Sequence, residues 1–95
     1  MYYAYIMASK RNGTLYIGVT NNIYRRACEH KLGRNKGSFS YKYGTFILVY
    51  YEEFKYIDDA IHREKCLKNW SRLWKLKLIE QCNPDWRDLY EDFIL

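Results

Sequence analysis

The chain has one proline, two histidines and three cysteines, and these shortages already narrow what it can be. Cys28, Cys66 and Cys82 are odd in number and form no Cys-x-x-Cys pair. With only His30 and His62 beside them, a Cys/His zinc site is not expected. The thiols are read instead as reduced, in a cytoplasmic protein. No apolar run is long enough to span a bilayer, and the N-terminus lacks the basic start and long apolar stretch of a signal peptide. No membrane partner is therefore expected. Acid is scarce in the first half: residues 1–50 carry eight Lys/Arg against the single acid Glu29, whereas residues 51–95 carry eight against ten. Phosphates attract so basic a surface over many ångströms, which points to a polyanionic partner. Charge by itself does not separate DNA from RNA or from an acidic membrane.

What is abundant is tyrosine, with eleven in 95 residues. Tyrosine fills space while keeping a hydroxyl for a polar partner, and most of these rings are expected to pack. Residues 1–95 should form one domain, since a chain this short buries roughly 60–65% of its unfolded surface, enough for one core.

The pattern predicts strands over Tyr2–Met7 and Leu15–Val19, joined by a turn at Asn12-Gly13, where both residues tolerate positive φ. Thr20, Asn21 and Asn22 have helix-capping chemistry, so a helix should start there and run to about Leu32. Gly33–Gly44 reads as a loop and Thr45–Glu52 as a third strand. Ile57, Ala60, Ile61, Glu64, Leu67 and Lys68 follow helical spacing, and a second helical stretch covers about Ser71–Gln81. Asn83-Pro84 breaks it, and Asp85–Phe93 is expected to be a final short helix.

Tyr5 and Tyr16 would come from neighbouring strands. Arg26 and His30, four apart, would share one helix face with Asn22. Phenols beside a guanidinium and an imidazole can manage protons and bind phosphate. Arg25 is read as a surface residue within pairing reach of Glu29. His30 is open between a general base, a phosphate contact and a plain helix-surface histidine. Glu64 falls on the apolar stripe of its helix, where a carboxylate is costly unless it is paired, hydrogen-bonded or bound to a metal. An ion pair with a basic residue is one reading. The other is a ligand for a hard cation such as Mg²⁺, which often takes one or two carboxylates plus waters and phosphate.

The stretch Tyr3-Ala4-Tyr5 … Tyr16-Ile17-Gly18 … Arg26 … His30 resembles the GIY-YIG nuclease superfamily, in particular its small stand-alone members. Tyr16-Ile17-Gly18 is the second motif literally; Tyr3-Ala4-Tyr5 keeps the tyrosine of the first but not its glycine. Ala60-Ile61-His62-Arg63-Glu64-Lys65 resembles the segment carrying that family's metal-binding glutamate, and Asn83 its later asparagine. The resemblance implies an α/β fold of α+β type: a small three-stranded antiparallel-type sheet flanked by helices. It also implies hydrolysis of nucleic-acid phosphodiesters, most simply DNA, with one divalent cation, Mg²⁺ or Mn²⁺, on Glu64. Tyr5, Tyr16, Arg26, His30 and Glu64 would be catalytic. By position in the motif Tyr16 is favoured as the base with Tyr5 in support, although the roles can be exchanged. Gly18, Asn22, Lys31, Arg34, Lys36 and Asn83 would serve substrate binding. A phenol with its usual pKa near 10 is a poor base at neutral pH unless nearby positive charge stabilises the phenolate.

Two other classes compete with an endonuclease: a nucleic-acid-binding module that keeps the fold without turnover, and a protein-interaction domain using a tyrosine-rich face. Binding alone has no need of a carboxylate among phosphates, which favours the enzyme. No appended reader domain is evident, so cutting should be structure-selective or weakly sequence-specific, or directed by homodimerisation or a targeting protein.

Overall fold

The computed structural model describes residues 1–32 and 47–93, with Lys31 and Leu32 described by their backbone only. Strands β1 (Tyr2–Ala8), β2 (Leu15–Thr20) and β3 (Ile47–Phe54) form one antiparallel sheet in the order β2-β1-β3. Helix α1 (Ile23–Leu32) follows β2, helices α2 (Ile57–Asn69) and α3 (Arg72–Cys82) follow β3, and a 3-10 turn spans Leu89–Phe93. The fold is the α+β arrangement expected, a three-stranded antiparallel sheet with helices on both faces.

β1 is central because it is apolar on both sides: Ala4, Tyr5, Ile6, Met7 and Ala8 are all buried. Alternation then sorts the two layers. Ile6 and Ala8, with Ile17, Val49 and Tyr50, meet Leu67 of α2 and Ile79 of α3. Tyr5 and Met7, with Leu48, meet Ile23 and Ala27 of α1, and Tyr16, Leu89, Tyr90 and Phe93 pack around them. The pairing of β1 with β3 shifts between Ile6 and Met7, so that Tyr50 opposes Ile6 while Leu48 opposes Met7. Val49 is the extra residue of this bulge, and such a residue drops out of the ladder. Its carbonyl is taken by the Asn83 side-chain amide at 3.1 Å, which satisfies a buried acceptor.

The β1–β2 turn forms at the expected place, with a division of labour between its two residues. Asn12 carries the positive φ of 59°. Gly13 supplies room, since a Cβ there would stand 2.2 Å from Ser9 Oγ. Arg72 Nη2 clasps this turn from α3, donating to the carbonyls of Asn12 and Gly13, each at 2.6 Å. The final helix expected over Asp85–Phe93 is cut to the 3-10 turn. Trp86 adopts φ 53°, a conformation that interrupts a right-handed helix. Its buried indole and its Nε1 bond to Glu80 Oε2 at 3.0 Å hold it there. Strand β3 runs on to Phe54, two residues past its expected end. The expected loop Gly33–Gly44 and the expected strand start at Thr45 lie outside the described residues.

Gly18 stands directly opposite Tyr5 across β1 and β2, and the Tyr5 ring lies over it. A Cβ at Gly18 would meet Tyr5 Oη at 2.5 Å and Cζ at 2.7 Å. A glycine beneath a cross-strand aromatic is a recurring way to seat a ring in a sheet. Gly18→Ala should cost about 1–3 kcal/mol, the usual range for overpacking a core. Urea denaturation measures it, and a midpoint equal to wild type would contradict this packing.

Candidate active site

The site begins with the cap of α1. Thr20 Oγ1 accepts from the Asn22 amide at 3.1 Å, and Asn22 Oδ1 accepts from the Arg25 amide at 3.0 Å. This is N-cap geometry, with the cap bonding the third helical residue. It sets the helix phase: Ile23 and Ala27 go into the core, and Arg26 and His30 are turned toward Tyr5. Asn22 is exposed and its side-chain oxygen is engaged in the cap.

Arg26, Tyr5 and His30 form a hydrogen-bonded chain. Arg26 Nε donates to Tyr5 Oη at 3.3 Å, and Tyr5 Oη lies 3.3 Å from His30 Nε2. A guanidinium only donates, so the phenol's own proton can go to the imidazole or to the neighbouring Tyr16 hydroxyl. Tyr16 completes the cluster, its ring centroid 5.2 Å from that of His30 and 6.2 Å from that of Tyr5. The other side of the guanidinium is held by Glu29, whose Oε1 lies 3.4 Å from Arg26 Nη1. Glu29 therefore pairs with Arg26, three residues back, and not with Arg25 as the helical spacing suggested.

Exposure separates the two tyrosines. Tyr5 is 1% exposed, whereas Tyr16 is half-buried and lines an open cleft with Leu15, Ile17, Lys68 and Lys75. Burial pushes the Tyr5 phenol up to about 12, with its bond from Arg26 working against that rise. Burial first, then the charge of Arg26, lowers His30 to about 4, and Glu29 opposes this. The Arg26 guanidinium is held yet more firmly charged, chiefly by its bond to Tyr5. At neutral pH the cluster is thus a neutral phenol and a neutral imidazole behind a permanent cation.

Glu64 lies on α2, a helix of the opposite layer. Helix α2 packs on β1 and β2. Its first residue, Ile57, lines a cleft of about 300 Å³ with Val19, Thr20, Arg25 and Arg26. Lys68, near its end, lines the cleft of Tyr16. The helix therefore runs along β2, and Glu64, about 6 Å of helix rise before Lys68, is level with the strand between the two clefts. Because β2 is the terminal strand, groups from both faces meet along its outer edge. The Glu64 side chain is 15% exposed and its Oε2 lies 3.0 Å from Lys68 Nζ. No hydrogen bond or ion pair among the described residues joins Glu64 to Tyr5, Arg26 or His30.

Among the described residues no three His, Cys, Asp or Glu side chains cluster as metal ligands. A caged zinc or calcium site is not offered there. A single carboxylate that keeps some exposure, as Glu64 does, does suit Mg²⁺, which keeps waters and takes phosphate oxygens for most of its shell.

The remaining candidates fall into different places. Gly18 is the seat for Tyr5. Asn83 is buried, and its amide is spent on backbone: Nδ2 donates to the carbonyls of Val49 and Arg87, and Oδ1 accepts from the Arg87 amide. It holds the turn after α3. The Lys31 side chain, Arg34 and Lys36 lie outside the described residues. Lys68 and Lys75 join Tyr16 without having been singled out as site residues. The signal for Lys68 was its position four residues after Glu64; Lys75 had none.

The chain matches the GIY-YIG catalytic domain family over residues 1–77, and it belongs to that family of nuclease-type domains. More narrowly, it is similar to UPF0213 proteins. One from Staphylococcus haemolyticus is 36% identical over 80 residues, covering 84% of this chain and 95% of the relative. One from Clostridium perfringens is 37% identical over 79 residues, covering 83% of each. The solution NMR structure of the UPF0213 protein BH0048 from Bacillus halodurans superposes with a TM-score of 0.56 at 27% identity, covering 93% of both chains. Among the described residues no helix is long and apolar enough to cross a membrane. Asn83 lies beyond the matched segment.

The lowered His30 pKa gives a pH test. Between about 6.5 and about 4 the unfolded chain takes up a proton on His30 that the fold does not. The contribution is therefore fully present above the unfolded value and is lost as pH falls through this window. His30→Gln should flatten the decline in unfolding free energy from pH 7 to pH 4 by up to about 3 kcal/mol. Urea midpoints across that range check it; parallel curves for the two proteins would refute it.

Proposed function

We propose that this protein is a divalent-metal-dependent endonuclease that hydrolyses DNA phosphodiester bonds, cutting in a structure-selective or weakly sequence-specific way. The observation that carries this reading is the Arg26–Tyr5–His30 chain, with a half-buried Tyr16 ring packed beside it. Arg26 would contact the scissile phosphate from its cleft. With Nε on Tyr5 and Nη1 on Glu29, its guanidinium is oriented before substrate arrives, which is how fixed charge helps most. Tyr16, half-buried at its own cleft, would first release its own proton to solvent and, as the phenolate, receive the proton of the attacking water. Tyr5 is a positioning residue: it is buried and stays protonated at neutral pH, so it serves Arg26 and not the substrate. His30, also buried, would accept the Tyr5 proton in a hydrogen bond and so keep the phenol aimed. Glu64 would hold Mg²⁺ or Mn²⁺, and the ion when bound would supply charge for the phosphate and leaving oxygen.

A second reading has its own support. Lys68 already neutralises Glu64, which removes the repulsion a bare carboxylate would offer to phosphate, and a binding module needs no more than that. Under either reading, dimerisation or a targeting protein would supply specificity.

The test is cleavage of single-stranded, duplex, flapped and branched DNA with Mg²⁺ or Mn²⁺. Wild type should cut at least one substrate, and Glu64→Ala should abolish metal-dependent cutting. Arg26→Ala should lose roughly 10²–10³-fold in kcat, and Tyr16→Phe roughly 10²–10⁴-fold. Tyr5→Phe should lose less than Tyr16→Phe. Wild-type binding without cleavage on every substrate and with both metals would overturn the enzyme in favour of the binding module.

A further inference from the structure

Lys68 and Lys75, which line the cleft of Tyr16, flank in sequence a pair of indoles, Trp70 and Trp74. Trp70 ends α2 and Trp74 lies in the first turn of α3, their rings edge to face with centroids 6.3 Å apart. Between them they line a hollow of about 290 Å³, close to the lower size of sites that hold planar organic ligands. Trp74 is 61% exposed, a large apolar area for a helix start. Ser71 fixes this geometry by capping α3, its Oγ accepting from the Trp74 amide at 3.3 Å.

The surroundings are cationic. Lys77 Nζ lies 5.5 Å from the Trp74 ring centroid, and Arg63 Cζ lies 5.0 Å from that of Trp70. Lys75 Nζ donates to the Lys68 carbonyl at 3.4 Å, and both lysines line the Tyr16 cleft. The nearby acids are engaged: Glu52 with Arg63, Glu64 with Lys68, and Glu80 with Trp86. An exposed Trp74 beside a half-buried Trp70, with ammonium groups close by, suits a ligand with flat aromatic faces and negative charges between them. A second copy of the chain would instead bring like charges together, which is costly at an interface.

We propose that Trp70 and Trp74 form a stacking platform for an unpaired DNA segment flanking the scissile phosphate. Lys75 and Lys77 hold its backbone phosphates, so that the preferred substrate has a single-stranded arm on this side of β2. Stacking on aromatic side chains is tolerant of base identity, because every base has a π-face. The platform thus selects structure and not sequence. The inference deepens the nuclease reading and rests on it for the placement of the scissile phosphate.

The experiment is binding of a thymidine decamer and of a blunt duplex of equal length, without divalent metal, followed by fluorescence anisotropy of the labelled DNA. Intrinsic fluorescence provides a second signal, since Trp86 is buried and Trp70 and Trp74 are the indoles DNA can reach. The decamer should quench the wild type. Trp74→Ala should weaken decamer binding by roughly 5- to 150-fold, the range for one stacked base, with little change for the duplex. Trp74→Phe should recover most of the loss. Equal losses on decamer and duplex, or none on the decamer, would overturn the platform, and if cutting persists the nuclease reading stands without it. A wild-type dimer that Trp74→Ala converts to monomer, seen by sedimentation, would assign the patch to self-association. Absence of any DNA binding together with absence of cleavage would remove both readings.

Discussion

Burying a phenol in the middle of a sheet costs several kcal/mol unless its hydroxyl is hydrogen-bonded, and Tyr5 is buried in the central strand. Much of the site follows from meeting that cost. The ring needs floor space, so the residue opposite it on β2 is Gly18. The hydroxyl needs a donor and an acceptor, so α1 presents Arg26 and His30 one turn apart. The helix can present both only in one phase, which the Asn22 cap fixes. A packing requirement and a site requirement are thereby met by the same three side chains, Tyr5, Arg26 and His30. Removing Tyr5 would take from both of the others the partner they share.

The same arrangement explains why two tyrosines on adjacent strands need not be equivalent. β2 is terminal and β1 central, so a tyrosine on β1 is walled in while one on β2 keeps contact with the edge. Tyr5 and Tyr16 are both on the α1 side of the sheet, yet only Tyr16 lines a cleft. Strand order distinguishes them more firmly than either motif does.

Much of this was legible in the sequence, and the rest was not for identifiable reasons. Aromatic and β-branched runs located the strands, capping residues the first helix and helical spacing the later one at Ile57–Lys68, and the 16–18 tripeptide with Arg26 and His30 pointed to the family. Glu64 stood out because a carboxylate on an apolar stripe conflicts with its surroundings. Hidden from view was the Arg26–Glu29 pair: offsets of three and four residues are both neighbours on a helix, and the bond from Arg26 to Tyr5 decides which is used. The interruption at Trp86 was also hidden, since a left-handed tryptophan is held by tertiary contacts and no local propensity favours it. Asn83 could be marked as important without its task being visible, because the task is the carbonyl of a bulge on β3, 34 residues away.

The Glu64–Lys68 pair bears on how far the two readings of Glu64 conflict. A glutamate four residues before a lysine on one helix is the favourable order, but such a pair is worth only about 0.2–0.5 kcal/mol. Lys68 is 55% exposed, so its ammonium gives up little on returning to water. A divalent ion competing for the same carboxylate has twice the charge and no long flexible stem to immobilise. The ion pair therefore holds Glu64 in place without blocking it. Lys68, once displaced, would remain beside Tyr16 and Lys75 in the cleft, where a phosphate would be its next partner. On the proposed reading, the ion pair and the metal ligand would be successive states of one carboxylate, and the first is compatible with the second.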